Sequence, residues 1–109
     1  MKGTFLGEFQ ELVLLAILAL GEEAYGVSIQ QKIKEVAGRD ITRGALHSAL
    51  SRLEEKGFLK SAFGEATKER GGRRKRLYSV TVSGQNALKE ARMIRESFRS
   101  SIKPSFNFE

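Results

Sequence analysis

The chain has 109 residues, enough for one hydrophobic core and too few for two ordinary domains. Its formal net charge of +6 at pH 7 favours an acidic partner, nucleic acid first and an anionic membrane second. The absence of cysteine excludes disulfides, thiol catalysis and cysteine metal sites, and the longest apolar run, residues 12–20, is too short to span a bilayer. Because no signal-peptide pattern is present, we expect a cytoplasmic protein without a membrane partner.

The first predicted helix covers residues 8–20 and stops at Gly21. Its apolar stripe extends nearly all round the helix, because Leu14, Leu15 and Leu18 lie beside the main stripe. A helix that is apolar on most sides is buried on most sides. Two interpretations stay open here: a central helix in the core of a monomer, or a helix partly covered by a second subunit.

Two further helices are predicted over residues 27–37 and 43–56, each closed by a glycine. Tyr25-Gly26 stands where the first of them starts, and we interpret it as a helix start with an aromatic ring packed beneath rather than as a ligand feature. Thr42 precedes the second helix as an N-cap, whose hydroxyl accepts a hydrogen bond from a backbone N–H. Two helices joined by a few residues match a helix-turn-helix.

The helix over residues 43–56 has a leucine-rich stripe and an outer face that is mostly small and polar. The stripe follows the spacing i, i+3, i+4 and i+7 at Leu46, Ala49, Leu50 and Leu53. A small polar face fits the major groove, which admits one helix and is read by hydrogen bonds; the alternative is a solvated surface helix. His47, the one histidine, either contacts a base or phosphate or is simply exposed. The outer face consists of Gly44, His47, Ser48, Ser51, Arg52 and Glu55.

Two strands are predicted over residues 58–63 and 77–82 from their aromatic and β-branched content. The loop between them contains Gly71-Gly72 and a cluster of cations. Such charge runs are often only solvated, but a hairpin that directly follows a helix-turn-helix is a wing, whose arginines can reach phosphates or a narrowed minor groove. The cations expected to contact DNA are Lys68, Arg70, Arg73, Arg74, Lys75 and Arg76.

A last long helix is predicted after an N-cap at Thr81 or Ser83, and Pro104 bars it from continuing. Its apolar stripe has little of the domain left to cover it, so it docks on the first helix or on a second copy. The fold class predicted is mainly α with a small β-hairpin (α+β), a winged helix-turn-helix over residues 1–82 with a dimerisation helix and tail over residues 83–109. The predicted dimer interface comprises Leu14, Leu15, Leu18, Leu88, Ala91, Ile94, Arg95 and Phe98.

Several segments of the chain together form a specific pattern: residues 11–15, Tyr25-Gly26, residues 44–50 and 52–54, Gly57, residues 71–75, Tyr78, Thr81 and Gly84. Through them the chain resembles, over about residues 8–92, the PadR-like winged-helix transcriptional regulators, in particular short members with a single carboxy-terminal helix. The resemblance implies a homodimer whose first and last helices exchange contacts, and a repressor of nearby genes, often for transporters or detoxification. The chain departs from the family at His47 and Ser48, where Tyr and then often Pro are usual, and it lacks the tryptophans with which some short members bind flat aromatic drugs.

These observations together predict a dimeric repressor that binds a palindromic site in double-stranded DNA. We expect that the protein is not an enzyme and needs no cofactor or metal. Neither a nucleophile–base pair nor paired carboxylates nor a phosphate-binding glycine motif is present. We expect bases to be read by Ser48, Ser51 and His47. We expect phosphates to be contacted by Thr42, Arg43, Arg52 and the wing cations. Two alternatives stay open: a winged helix that binds an acidic protein, and a sensor with an unknown small-molecule effector at the dimer interface.

Overall fold

Four α-helices and a two-stranded antiparallel hairpin form the computed structural model, which describes residues 5–66 and 74–104. This architecture confirms the prediction of a mainly α fold with a small β-hairpin. The elements in chain order are α1 (Glu8–Leu20), a 3-10 turn (Gly21–Glu23), α2 (Gly26–Ala37), α3 (Arg43–Glu55), β1 (Leu59–Ala66), β2 (Arg74–Val80) and α4 (Val82–Ser101).

Helix α1 lies at the centre of the fold and contacts α2, α3, β2 and α4. Its inward face buries Val13, Leu14, Ala16 and Ile17. Each large apolar side chain removed from water in this way contributes about 1.5–3 kcal/mol relative to an exposed one. The core is completed by Ala24, Ile29, Ile33, Leu46, Ala49, Leu50, Leu53, Phe58, Leu59, Tyr78 and Ala87.

The helix boundaries around the helix-turn-helix follow the capping residues. Gly38 ends α2 in the left-handed region with φ of 70°, and Gly57 follows α3 with φ of 83°. The Thr42 hydroxyl accepts a hydrogen bond from the Ala45 N–H at 3.0 Å and begins α3. Between the two helices, Gln30 Nε2 donates to the Ile41 carbonyl at 2.7 Å, which fixes the link against α2. The predicted caps at these positions are confirmed.

The hairpin strands are longer than predicted. Strand β2 begins at Arg74, so Arg74, Lys75 and Arg76 lie in the strand rather than in the loop as expected. Cross-strand packing outweighs the weak strand preference of these cations, since Arg76 pairs with Phe63 and its guanidinium carbon lies 5.0 Å from the centroid of that ring. A register shift between Phe63 and Ala66 places one extra residue on β1.

Helix α4 is attached to the turn between α3 and β1 through Thr81. The Thr81 N–H donates to the Phe58 carbonyl at 3.0 Å, and its hydroxyl donates to the Gly57 carbonyl at 2.6 Å. The same hydroxyl accepts from the Gly84 N–H at 3.0 Å, so Thr81 is the N-cap of α4. Val82 therefore opens the helix instead of ending β2 as predicted, because the capping bonds turn the chain at Thr81.

Candidate nucleic-acid interface

The outer face of α3 is exposed along the first three turns of the helix. Its leucine-rich stripe is buried against the core, which turns the opposite side chains to solvent. Every residue of α3 and its cap that was predicted to contact DNA is exposed, and together they form one continuous surface. These residues are Thr42, Arg43, Gly44, His47, Ser48, Ser51 and Arg52.

A cleft of about 250 Å³ separates the N-terminal ends of α2 and α3 from strand β2. Three cations line it: Arg43 from α3, and Lys75 and Arg76 from β2. Among the lining side chains that the structure describes, none is acidic. Such a cleft attracts anions, because the like charges around it are not neutralised from within. The other lining residues are Tyr25, Gly26, Val27, Gln30, Leu46, His47, Leu50 and Tyr78.

Two of these cations lie over aromatic rings. The Lys75 ammonium is 4.1 Å from the centroid of the Tyr25 ring, and Arg76 lies over Phe63 as described above. Tyr25 is the N-cap of α2, which agrees with a helix start at this point. Its contact with Lys75 was not anticipated, because the two residues are far apart in the sequence and no local pattern joins them.

Of the remaining wing cations, only Arg74 belongs to the described residues. Lys68, Arg70 and Arg73 lie outside the described residues, and Arg74 is described only as the first residue of β2. Their contact with DNA stays a prediction.

Cations at the C-terminal end of α2 and in the link that follows it have acidic partners within the chain. Arg39 Nη2 lies 2.6 Å from Glu8 Oε2, and Lys34 Nζ lies 2.9 Å from Asp40 Oδ2. The hydrogen bond and the charge of Arg39 lower the pKa of Glu8 below its ordinary value, and Glu8 raises the pKa of Arg39 in return. The cleft beside α3 differs from this region, because its described lining contains cations and no acidic side chain.

The residues predicted to form a dimer interface occupy different environments. Leu14 is 0% exposed and lies within the core of the single chain, so it offers no surface to a partner. Periodicity did not separate it from Leu15 and Leu18, each 46% exposed on the outer side of α1. Arg95 pairs with Glu11 of α1 at 2.7 Å and so ties α4 to its own subunit.

The apolar stripe of α4 becomes more exposed toward its C-terminal end. Leu88 and Ala91 are partly covered within the chain. Ile94 is 43% exposed and Phe98 is 70% exposed. The outer side of α1 and this end of α4 thus each expose large apolar side chains, and we call Leu15, Leu18, Ile94 and Phe98 the apolar seam.

The described residues contain neither a metal-ligand cluster nor a membrane-spanning helix. Within residues 5–66 and 74–104, no group of three or more metal-ligating side chains is present. No helix in the described ranges is both long and apolar enough to cross a membrane.

Comparison with known proteins identifies relatives of the whole arrangement. A model of the PadR-like transcriptional regulator family matches residues 14–90. A PadR-like transcription factor from Bacteroides fragilis is 26% identical with a TM-score of 0.70, covering 85% of this chain and 84% of that one. A PadR family regulator from Eggerthella lenta is 25% identical with a TM-score of 0.67, covering 86% and 81%.

A transcriptional regulator from Clostridium thermocellum is 27% identical with a TM-score of 0.64, covering 86% of this chain and 92% of that one. No curated protein matches the chain. The family consists of DNA-binding transcriptional regulators and not of enzymes, and its winged-helix fold is the one described above. Since the family model matches residues 14–90, well over half of the chain, this chain belongs to the PadR-like family of transcriptional regulators.

Proposed function

We propose that the protein is a homodimeric repressor that binds a palindromic double-stranded DNA site through α3 and the wing. One observation carries the proposal: the small polar face of α3 is exposed and borders a cleft lined by Arg43, Lys75 and Arg76. A helix of this kind can enter the major groove while cations beside it meet the backbone.

Base reading is assigned to the middle of α3. Ser48 and Ser51 lie one turn apart on its exposed face, and both are short enough for the helix to lie deep in the groove. A hydroxyl can donate or accept a hydrogen bond, so each serine selects weakly and the pair, with His47, selects together. Gly44 lies one turn earlier and adds no side chain between the helix and the DNA.

Phosphate contacts are assigned to the residues around that face. Thr42, Arg43 and Arg52 flank the helix, while Lys75 and Arg76 stand across the cleft. These contacts hold the protein in register and supply affinity without reading sequence. The wing residues assigned the same role from the sequence are Lys68, Arg70, Arg73 and Arg74.

Dimerisation is assigned to the apolar seam. Side chains as exposed as Ile94 and Phe98, on a helix at the edge of a small domain, are covered most readily by the same surface of a second copy. A twofold dimer of this kind presents its two α3 helices to half-sites about one helical turn apart. The family resemblance supports repression of nearby genes, such as those for transporters or detoxification, in the cytoplasm.

Ligand sensing is the second candidate function. A cavity of about 250 Å³ lies between the N-terminal arm and α4, lined by Phe5, Leu6, Ala91 and Ile94 among others. Because it adjoins the apolar seam, a small apolar effector bound there would act on the dimer. Displacement of bound DNA by candidate ligands tests this function, and no displacement by any ligand that binds the protein would exclude it.

Salt dependence of DNA binding tests the proposed function. Changing Arg43, Lys75 and Arg76 together to Ala should weaken binding to every duplex and flatten the slope of log K against log salt by about 2.7 units, 0.9 for each phosphate contact. Fluorescence anisotropy over a range of salt concentrations measures both quantities.

A matched control removes the same charge from cations that have acidic partners. Lys32, Lys34 and Arg39 pair with Glu35, Asp40 and Glu8, and their joint replacement by Ala should leave the slope nearly unchanged. Equal slopes for the two triple variants would contradict the proposed interface. A wild-type slope near zero, with tight binding to an acidic protein, would favour the alternative of a winged helix that binds an acidic protein.

A further inference from the structure

Tyr25 is held rigidly by the backbone on both sides of it. As the N-cap of α2, its carbonyl accepts from the Ile29 N–H at 2.8 Å and its N–H donates to Ser28 Oγ at 3.0 Å. The preceding Ala24 is buried, and its carbonyl accepts from the Tyr78 N–H of β2 at 2.9 Å. These bonds fix the backbone from which the Tyr25 ring projects with respect to both α2 and the base of the wing.

Lys75 lies on the face of this ring, 4.1 Å from its centroid. The same cleft holds Arg43 and Arg76, and like charges in one cleft repel each other. Within the described part of the chain, no ion pair ties Lys75 to a carboxylate. Among the described residues, the attraction between the Lys75 ammonium and the Tyr25 ring is thus the interaction that offsets this repulsion and keeps Lys75 in the cleft.

An aromatic ring and a carboxylate can both hold a lysine side chain, but they affect its charge differently. A carboxylate would hold the ammonium but cancel its field, as Glu8 does for Arg39. An aromatic face attracts the cation through its quadrupole and leaves the net charge in place. Lys75 is therefore placed in advance by a group that does not neutralise it.

We propose that Tyr25 is a positioning residue, which holds Lys75 beside the N-terminal end of α3 with its charge available to a DNA phosphate. This inference rests on the proposed function, because it gives Lys75 a phosphate to meet. The contact also links α2 to the wing. Tyr25, the N-cap of α2, determines where the Lys75 charge on the wing lies relative to the base-reading face of α3.

A double-mutant cycle in the full chain tests the inference, with a mixed-sequence duplex as the probe because phosphate contacts do not depend on sequence. Tyr25→Leu should weaken binding about two- to fivefold, the range expected from a cation–π contact. Tyr25→Phe should bind like the wild type, since it keeps the ring and loses only the hydroxyl. Lys75→Ala should flatten the salt slope by about 0.9 units.

The decisive comparison is made in the Lys75→Ala background, where Tyr25→Leu should cause no further loss. A merely structural role for the ring would weaken binding equally in both backgrounds, and circular dichroism melts of each variant show whether the fold is retained. The inference is overturned if Tyr25→Leu binds like the wild type, if its effect persists without Lys75, or if Tyr25→Phe is as weak as Tyr25→Leu, which would indicate a direct contact by the hydroxyl. Absence of salt-dependent binding by the wild type would instead refute the proposed function itself.

Discussion

Gly84→Ala is expected to detach the first turn of α4 from the rest of the domain. Gly84 is buried, and a Cβ at this position would stand 2.7 Å from Val80 Cγ1 and collide with the Phe58 carbonyl oxygen. Phe58 has little freedom to retreat, because its carbonyl accepts from the Thr81 N–H and its own N–H donates to the Leu53 carbonyl. The added methyl group therefore has to lift the helix.

The expected size of the effect follows from the severity of these contacts. Inserting one methyl group into a packed site costs about 1–3 kcal/mol of unfolding free energy. For a domain of this size each kcal/mol lowers the melting temperature by about 4–8 °C, so a fall of roughly 4–24 °C is expected. Because α4 carries Ile94 and Phe98 of the apolar seam, dimerisation should weaken as well.

Urea and thermal unfolding followed by circular dichroism measure this effect against a matched control. Gly44→Ala makes the same chemical change in a helix, but there the added Cβ meets nothing within 4 Å. The control should leave stability unchanged or raise it by up to about 1 kcal/mol, as helix propensity favours Ala. Equal stability of Gly84→Ala and the wild type would refute the account of how α4 is attached.

Three further perturbations probe association and ionisation. Replacing Ile94 and Phe98 with Asp should yield a monomer with weaker DNA binding; a wild-type chain that sediments as a monomer at micromolar concentration would refute the dimer. Arg39 lowers the pKa of Glu8 below 4.5, so the pair stabilises the fold above that pH and the stabilisation is lost as the pH falls through the lowered pKa. Glu8→Gln should therefore flatten the dependence of the urea midpoint on pH below about 5, and an unchanged profile would count against the pair. Burial raises the pKa of Tyr78 above 10.0, so the neutral phenol stabilises the fold fully below pH 10.0 and this stabilisation is lost as the pH rises through the raised pKa. In a titration followed by tyrosinate absorbance, Tyr78→Phe should remove a component that titrates above pH 10.0. Loss of a component that titrates at or below pH 10.0 would contradict the raised pKa.

Helix boundaries were the most predictable part of the fold, because they depend on local chemistry. Thr42 caps α3 through its own hydroxyl, and Gly38 and Gly57 adopt positive φ where a helix ends. The exposed face of α3 was equally accessible to prediction, since four buried positions at helical spacing determine which side chains face solvent.

Features that depend on distant parts of the chain were not predictable. Leu14 and Leu15 are adjacent and equally apolar, and only the packing of α1 against its neighbours separates the buried one from the exposed one. The strand assignment of Lys75 and Arg76 depends on pairing with β1, which outweighs their own preference. The contact of Lys75 with Tyr25 likewise exists only once β2 lies beside the cap of α2.

Selection from a random pool of DNA duplexes tests most directly whether α3 reads sequence. The wild type should select two symmetric half-sites about one helical turn apart. Each alanine variant of His47, Ser48 and Ser51 should retain the fold, since these side chains are exposed, and Ser51→Ala should shift the preference at one or two base pairs per half-site by about 1–3 kcal/mol. Identical selected motifs from the wild type and all three variants would contradict this account and leave the wing or DNA shape as the source of specificity.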